Sequence, residues 1–330
     1  MLQFFRNNQL TTLPLIILYF LALHLGLFFQ PIAMPNSVSD WNVLMQYAWH
    51  IIGWNSITMH IFWIVAILVQ VFGLNALINY YKLSRRFTYI TTLGVILTYS
   101  FLPHQAKAFP ILLGNICIGF SIFNLFNAYV EKASNAPIFN ATAWMTLAGF
   151  FYTPFFLFSI VLLLGMYTLR GYHLKENIVF VLGIIVPFIL MSTIQFLMGN
   201  FEHWSKVELI DKWQFLEIAA FTNLSFQSIV SILAYVLVNF WLWSISWRLE
   251  QKTTLQEKSY INILYIALLI GALSLPISGT VEIYKLMILA TPMSLLLGLG
   301  LQAIQSNRIA EIWHWFLIGL ALLVQYQFIF

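Results

Sequence analysis

The chain has 330 residues, of which 61% are hydrophobic, 17% aromatic and only 8% charged. A soluble domain carries about 25% charged residues, so lipid must solvate much of this surface, and no hydrophilic stretch is long enough to build a separate soluble domain. The net charge of +4 is scattered singly between apolar runs, which points to membrane topology and lipid, not to nucleic acid, as what the basic residues serve.

Apolar runs bounded by charge predict spans at 11–29, 57–80, 87–103, 109–129, 139–153, 154–169, 177–199, 223–247, 259–277, 283–303 and 311–329, all in one membrane domain covering 1–330. The run from Leu13 to Phe29 is long enough to cross, and no small-residue cleavage site follows, so it reads as a span and not a signal peptide. Pro154 separates the fifth and sixth spans, because proline removes a backbone donor and clashes with the preceding turn. With a cytoplasmic N-terminus and strict alternation, inner loops collect Arg6, Lys82, Arg85, Arg86, Lys132, Arg170, Lys175, Arg248, Lys252, Lys258 and Arg308. Outer loops collect Lys107, Lys206, Lys212 and Lys285, and merging the fifth and sixth spans would destroy that bias. The expected fold class is an all-α, polytopic transmembrane helical bundle of about eleven spans (ten to twelve). Its N-terminus is expected in the cytoplasm of a bacterium and its C-terminus outside the inner membrane.

Two outer segments are too long for turns. Within 30–56, Trp41, Leu44, Met45, Ala48, Ile51 and Ile52 share one helical face, with Asp40, Val43, Gln46, Tyr47 and His50 mostly on the other. Residues 200–222 hold the densest charge of the chain together with Trp204 and Trp213. Both predict extracytoplasmic amphipathic helices at the membrane surface.

The chemistry is mostly defined by exclusion. His24, His50, His60, His104, His173, His203 and His314 never lie within five residues of one another, so the clustered imidazoles of a di-iron oxygenase are missing. The sequence has no GxxxxGK[ST] loop and no GxSxG elbow. Cys117 stands alone in an apolar run, which rules out an intrachain disulfide. Span centres carry His24, His60, Asn115, Asn124, Asn127, Gln195 and Asn239 but essentially no charge. This favours helix-to-helix hydrogen bonds over an ion path.

The candidate site lies on the outer face. Asp40 is the only carboxylate in 30–56; it serves either as an N-cap, a role Ser39 could also fill, or as a functional acid. Lys285 follows Ser278-Gly279-Thr280-Val281-Glu282 and either snorkels, pairs with Glu282 one turn away, or binds an anion. His104 and Lys107 fall on the same side. A carboxylate beside several cations can activate a hydroxyl acceptor while a lipid-linked phosphate is held.

From Val69 to Met191 the parts follow an order that resembles the membrane module of the GT-C superfamily of glycosyltransferases. Tyr81-Lys-Leu-Ser-Arg-Arg86 makes a basic turn, Thr91 to Pro103 ends in proline, and Asn140 to Pro154 contains Leu147-Ala-Gly-Phe-Phe-Tyr-Thr-Pro154. Glu282 to Gly300, with Ala290-Thr-Pro-Met-Ser-Leu, is similar to a late span of those enzymes. The whole chain also resembles a family of integral membrane proteins of this length from Bacteroidetes that has no assigned activity. The GT-C resemblance implies a polyprenyl-phosphate-linked sugar as donor and cell-envelope glycan assembly as the process. By placement, Asp40 matches the base or metal ligand of the first outer loop, and Lys285 matches the basic residue that contacts the donor phosphate. No cofactor is expected apart from a divalent metal if Asp40 serves as a ligand. The sequence departs from the pattern in having one acid in that loop where many relatives have two. A non-enzymatic lipid carrier or scaffold, descended from such an enzyme, is the alternative expectation.

Overall fold

The computed structural model describes residues 2–6, 12–24, 41–52, 55–84, 87–102, 105–130, 135–206, 212–213, 226–250, 254–277, 282–304 and 306–326. Asp40 and His104 lie outside the described residues, as do 30–39 and 214–225. The described chain is helical, with no strand among these residues. In chain order the α-helices are α1 (Leu2–Arg6), α2 (Thr12–Leu23), α3 (Val43–Ile52), α4 (Ser56–Tyr80), α5 (Ile90–Ser100), α6 (Phe109–Val130) and α7 (Asn135–Phe151). They continue as α8 (Phe158–Arg170), α9 (Leu174–Leu197), α10 (Phe201–Lys206), α11 (Phe226–Glu250), α12 (Leu255–Ser274), α13 (Ala290–Ala303) and α14 (Asn307–Tyr326).

Each of the eleven predicted apolar runs overlaps a described helix, and among the described residues eight helices are long and apolar enough to cross a membrane. The chain is therefore a multi-pass helical membrane protein by length and composition. Thr12–Leu23 and Ile90–Ser100 are apolar but shorter. At about 1.5 Å per residue, α5 covers only about 16 Å, and all eleven of its residues are buried. It runs through the middle of the bundle, against α13, whose residues Ala290 to Leu301 are buried as well. Helices α2, α4, α11, α12 and α14 surround this pair.

The predicted break in the middle of 139–169 is present. Helix α7 stops at Phe151, Tyr152 is extended (φ −149°, ψ 112°), and Thr153–Leu157 forms a 3-10 turn with Pro154 at its start before α8 begins. At one end of the bundle Arg6 donates to the carbonyls of Leu301 (3.3 Å) and Ile304 (3.1 Å). At the same end Gln302 bonds Ser84, Tyr81 donates to the Phe123 carbonyl (2.8 Å), and Arg170 donates to the Ala128 carbonyl (2.6 Å) and to Glu176 (2.8 Å). At the opposite end Gln325 donates to the carbonyls of Ser100 (2.8 Å) and Leu102 (2.9 Å), and Lys107 meets Glu282. Arg6, Lys82 and Arg170 thus share one end and Lys107 the other, the partition that alternation along the chain requires.

The two segments read as amphipathic surface helices are helical at α3 and α10, and both are joined to the bundle. Trp204 of α10, 2% exposed, packs with Phe150 of α7 and Met191 of α9, with Leu44 and Tyr47 of α3 against them. The Tyr47 hydroxyl donates to Gln195 (3.2 Å) and accepts from Asn200 (3.3 Å).

Candidate functional site: a cleft at one end of the bundle

The Lys107 end contains a cleft lined by Trp41, Asn42, Lys107, Pro110, Phe151, Tyr152 and Tyr284, with about 400 Å³ of empty space, open solvent included. Its walls come from four places in the chain. Trp41 and Asn42 lead into α3, and Lys107 sits on a 3-10 turn (Ala106–Ala108) that runs directly into α6 at Phe109-Pro110. Phe151 and Tyr152 form the broken end of α7. Tyr284 lies in a second 3-10 segment, Ile283–Leu289, that precedes α13.

Asn42 ties these walls together. Its carboxamide nitrogen donates to the Gly149 carbonyl (3.1 Å) and to Thr153 Oγ1 (3.1 Å), and its Oδ1 accepts from Lys212 Nζ (3.0 Å). The residue is 4% exposed, so a lysine from the segment after α10 is brought to the same buried amide that pins α3 to the end of α7. The Asn42 backbone carbonyl also accepts from the amides of Met45 (2.9 Å) and Gln46 (3.0 Å). An acceptor of the first intrahelical bond is the N-cap position. By that backbone criterion the position belongs to Asn42, whose side chain is turned to Gly149, Thr153 and Lys212 and not to the helix.

Lys107 is exposed, and its Nζ lies 3.7 Å from Glu282 Oε1. Such a pair contributes about 0–1 kcal/mol; its use is to hold the two 3-10 segments side by side. Lys285 is 8% exposed, so most of its side chain is covered by protein. It stands next to Tyr284 in sequence, while the cleft wall itself is made by Tyr284. Trp41 is 5% exposed and meets Trp49 edge-on with centroids 5.3 Å apart. The result is a cleft with an aromatic wall (Trp41, Phe151, Tyr152, Tyr284) and one lysine, Lys107, in its lining beside the carboxamide of Asn42. That composition suits a ligand with an anionic group and a flat or apolar part.

Of the residues singled out from the sequence, Lys107 lines this cleft, Lys285 is buried beside it, and Asp40 and His104 are not described, although Trp41 next to Asp40 lines the cleft. Asn42, Tyr152, Tyr284 and the Lys107–Glu282 pairing were not foreseen. Among the described residues no three His, Cys, Asp or Glu side chains gather into a ligand set. No protein-family model, curated protein or solved structure matches this chain.

Proposed function

We propose that the chain is a GT-C-like glycosyltransferase that uses lipid-linked sugar donors in cell-envelope glycan assembly. It would cross a bacterial inner membrane eleven times, with the N-terminus in the cytoplasm and the cleft opening outward. One observation carries this reading: segments far apart in sequence, directly after Asp40, around Lys107, at the broken end of α7 and at Tyr284, meet in one cleft. In the proposed reaction Asp40 accepts the proton of an acceptor hydroxyl whose oxygen attacks the anomeric carbon of the donor. The bond from that carbon to the lipid phosphate breaks, and the phosphate leaves with the electron pair. Lys107, Lys285 and His104 neutralise its charge, and charge stabilisation of this kind acts on the transition state when the donors are held in place beforehand.

The burial of Lys285, next to Tyr284 in sequence, supports a role for it at the cleft. A second reading, a lipid carrier or scaffold without catalysis, draws support from the Lys107–Glu282 pair, which already balances one of the cleft's cations.

The test is genetic. Deleting the gene and profiling lipid-linked saccharides and surface glycans by mass spectrometry should reveal a missing or truncated glycan. Wild-type protein should restore it, and Asp40→Asn, accumulating normally in the membrane, should not. A glycan profile unchanged by the deletion would move the reading to the carrier.

A further inference from the structure

Tyr284 reaches the cleft from an unusual backbone. Ile283–Leu289 is a 3-10 helix of seven residues, whereas runs beyond three or four are uncommon because the side chains eclipse and the hydrogen bonds are poorer. The segment runs straight into α13, whose third residue is Pro292. Proline has no N–H, so the Ile288 carbonyl has no α-helical donor four residues on. A buried side chain of α6 bonds the residues on either side of that carbonyl, Met287 and Thr291.

Asn115 is 0% exposed. Its Nδ2 donates to the Met287 carbonyl at 2.7 Å, the same carbonyl that accepts the Ala290 amide in a 3-10 bond. Its Oδ1 and its backbone carbonyl accept from Thr291 Oγ1 at 2.9 and 3.2 Å. One carboxamide thus grips a residue on each side of the switch from 3-10 to α. The Lys107–Glu282 pair, at the start of α6, joins the same two stretches nearer the cleft.

We propose that Asn115 is a positioning residue for the cleft: it holds 283–289 in 3-10 form and thereby sets where Tyr284 and Lys285 stand relative to Lys107. The geometry gives the size of the effect. A 3-10 helix rises about 2.0 Å and turns about 120° per residue, against about 1.5 Å and 100° for an α-helix. Relaxing the six steps from Tyr284 to Ala290 to α-helix would draw Tyr284 in by about 3 Å and rotate it by about 120°. Either change takes it off the cleft wall. The consequence for sugar transfer rests on the transferase reading above, whereas the geometry can be measured without it.

The experiment places single cysteines on two walls of the cleft in full-length protein carrying Cys117→Ala: Tyr284→Cys as reporter and Tyr152→Cys as control. Labelling rates with a membrane-impermeant maleimide are measured in native membranes, with and without Asn115→Leu, which keeps the branched four-atom outline and removes the carboxamide's bonds to Met287 and Thr291. The expected result is a change of at least threefold in labelling of the Tyr284→Cys protein, with labelling of the Tyr152→Cys protein unchanged. No change at position 284, or an equal change at both positions, overturns the proposal. If Asn115→Leu protein fails to accumulate, Thr291→Val, which removes only the hydroxyl donor, carries the test: a smaller shift confined to 284 supports the proposal, and its absence overturns it. A selective shift at 284 in a protein on which no glycan depends would leave the positioning role standing and remove the transferase reading.

Discussion

The crossing of α5 and α13 gives the sharpest stability prediction. A Cβ added at Gly94 would stand 2.6 Å from the Ser294 carbonyl oxygen, 2.9 Å from the Gly298 amide nitrogen and 3.3 Å from the Gly298 Cα, all backbone atoms. An ordinary carbon-to-carbonyl contact is about 3.3–3.6 Å, so the helices must separate by roughly 0.7 Å. A gap of that size forfeits about a quarter to a half of each dispersion contact it opens, and both helices are buried along nearly their whole lengths. Overpacking of this kind costs about 1–3 kcal/mol, and the upper end applies where the opposing atoms are backbone. Replacing glycine by alanine inside a helix returns about 1 kcal/mol, so Gly94→Ala should lose a net ~2 kcal/mol. At about 2 °C per kcal/mol for a chain of this size, the melting midpoint should fall by about 4 °C. Gly73 in α4 has nothing within 4 Å of its added Cβ, so Gly73→Ala should melt at or slightly above wild type. The assay is thermal unfolding in detergent with a fluorogenic thiol dye, because Cys117 is the sole cysteine and is 6% exposed. Gly94→Ala melting at or above wild type, or both variants moving together, would refute the packing argument.

Three further outcomes follow from other contacts. Arg170→Ala leaves Glu176, whose side chain is 7% exposed, without its arginine and frees the Ala128 carbonyl; it should cost about 3–5 kcal/mol, with much of that recovered in Arg170→Met/Glu176→Leu, as read by the same melts. Lys107→Ala should change the melting midpoint by less than the equivalent of about 1 kcal/mol while lowering retention of a polyprenyl phosphate on the purified protein, measured by native mass spectrometry; equal retention would remove Lys107 from the site. Asn42→Ala breaks the bonds to Gly149, Thr153 and Lys212 together and should cost about 1–3 kcal/mol. It should also raise trypsin cleavage after Lys212 in membranes, and unchanged cleavage there would mean that Asn42 does not tether Lys212.

The apolar runs were legible because lipid demands them: every backbone polar group has to be paired within a helix, so hydropathy marks the segments and charge marks their ends. The break before Pro154 was legible for a similarly local reason. The helix starts were less so. The helix predicted from 259 begins at Leu255, because Thr254 and Glu257 close a capping box; the Thr-x-x-Glu spacing was there to be read. Through Lys107 and the Glu282–Lys285 stretch, the sequence pointed to the end of the bundle where the cleft lies. By spacing it offered Glu282 as one of several partners for Lys285, whereas the carboxylate meets Lys107, 175 positions away. Nothing local distinguishes those options, since the choice depends on the 3-10 segment that turns 283–289. Asn42 was hidden for the same reason: an asparagine beside a tryptophan reads as a loop until the end of α7 is placed against it.

The most direct test of the central claim is release of the lipid carrier. Purified wild-type protein in vesicles, supplied with the lipid-linked saccharides that accumulate in a deletion strain and with envelope glycan as acceptor, should liberate free polyprenyl phosphate or diphosphate as sugar moves to the acceptor, and Asp40→Asn should liberate none. Binding of the lipid-linked saccharide without any release by the wild-type protein would contradict a transferase and leave a carrier.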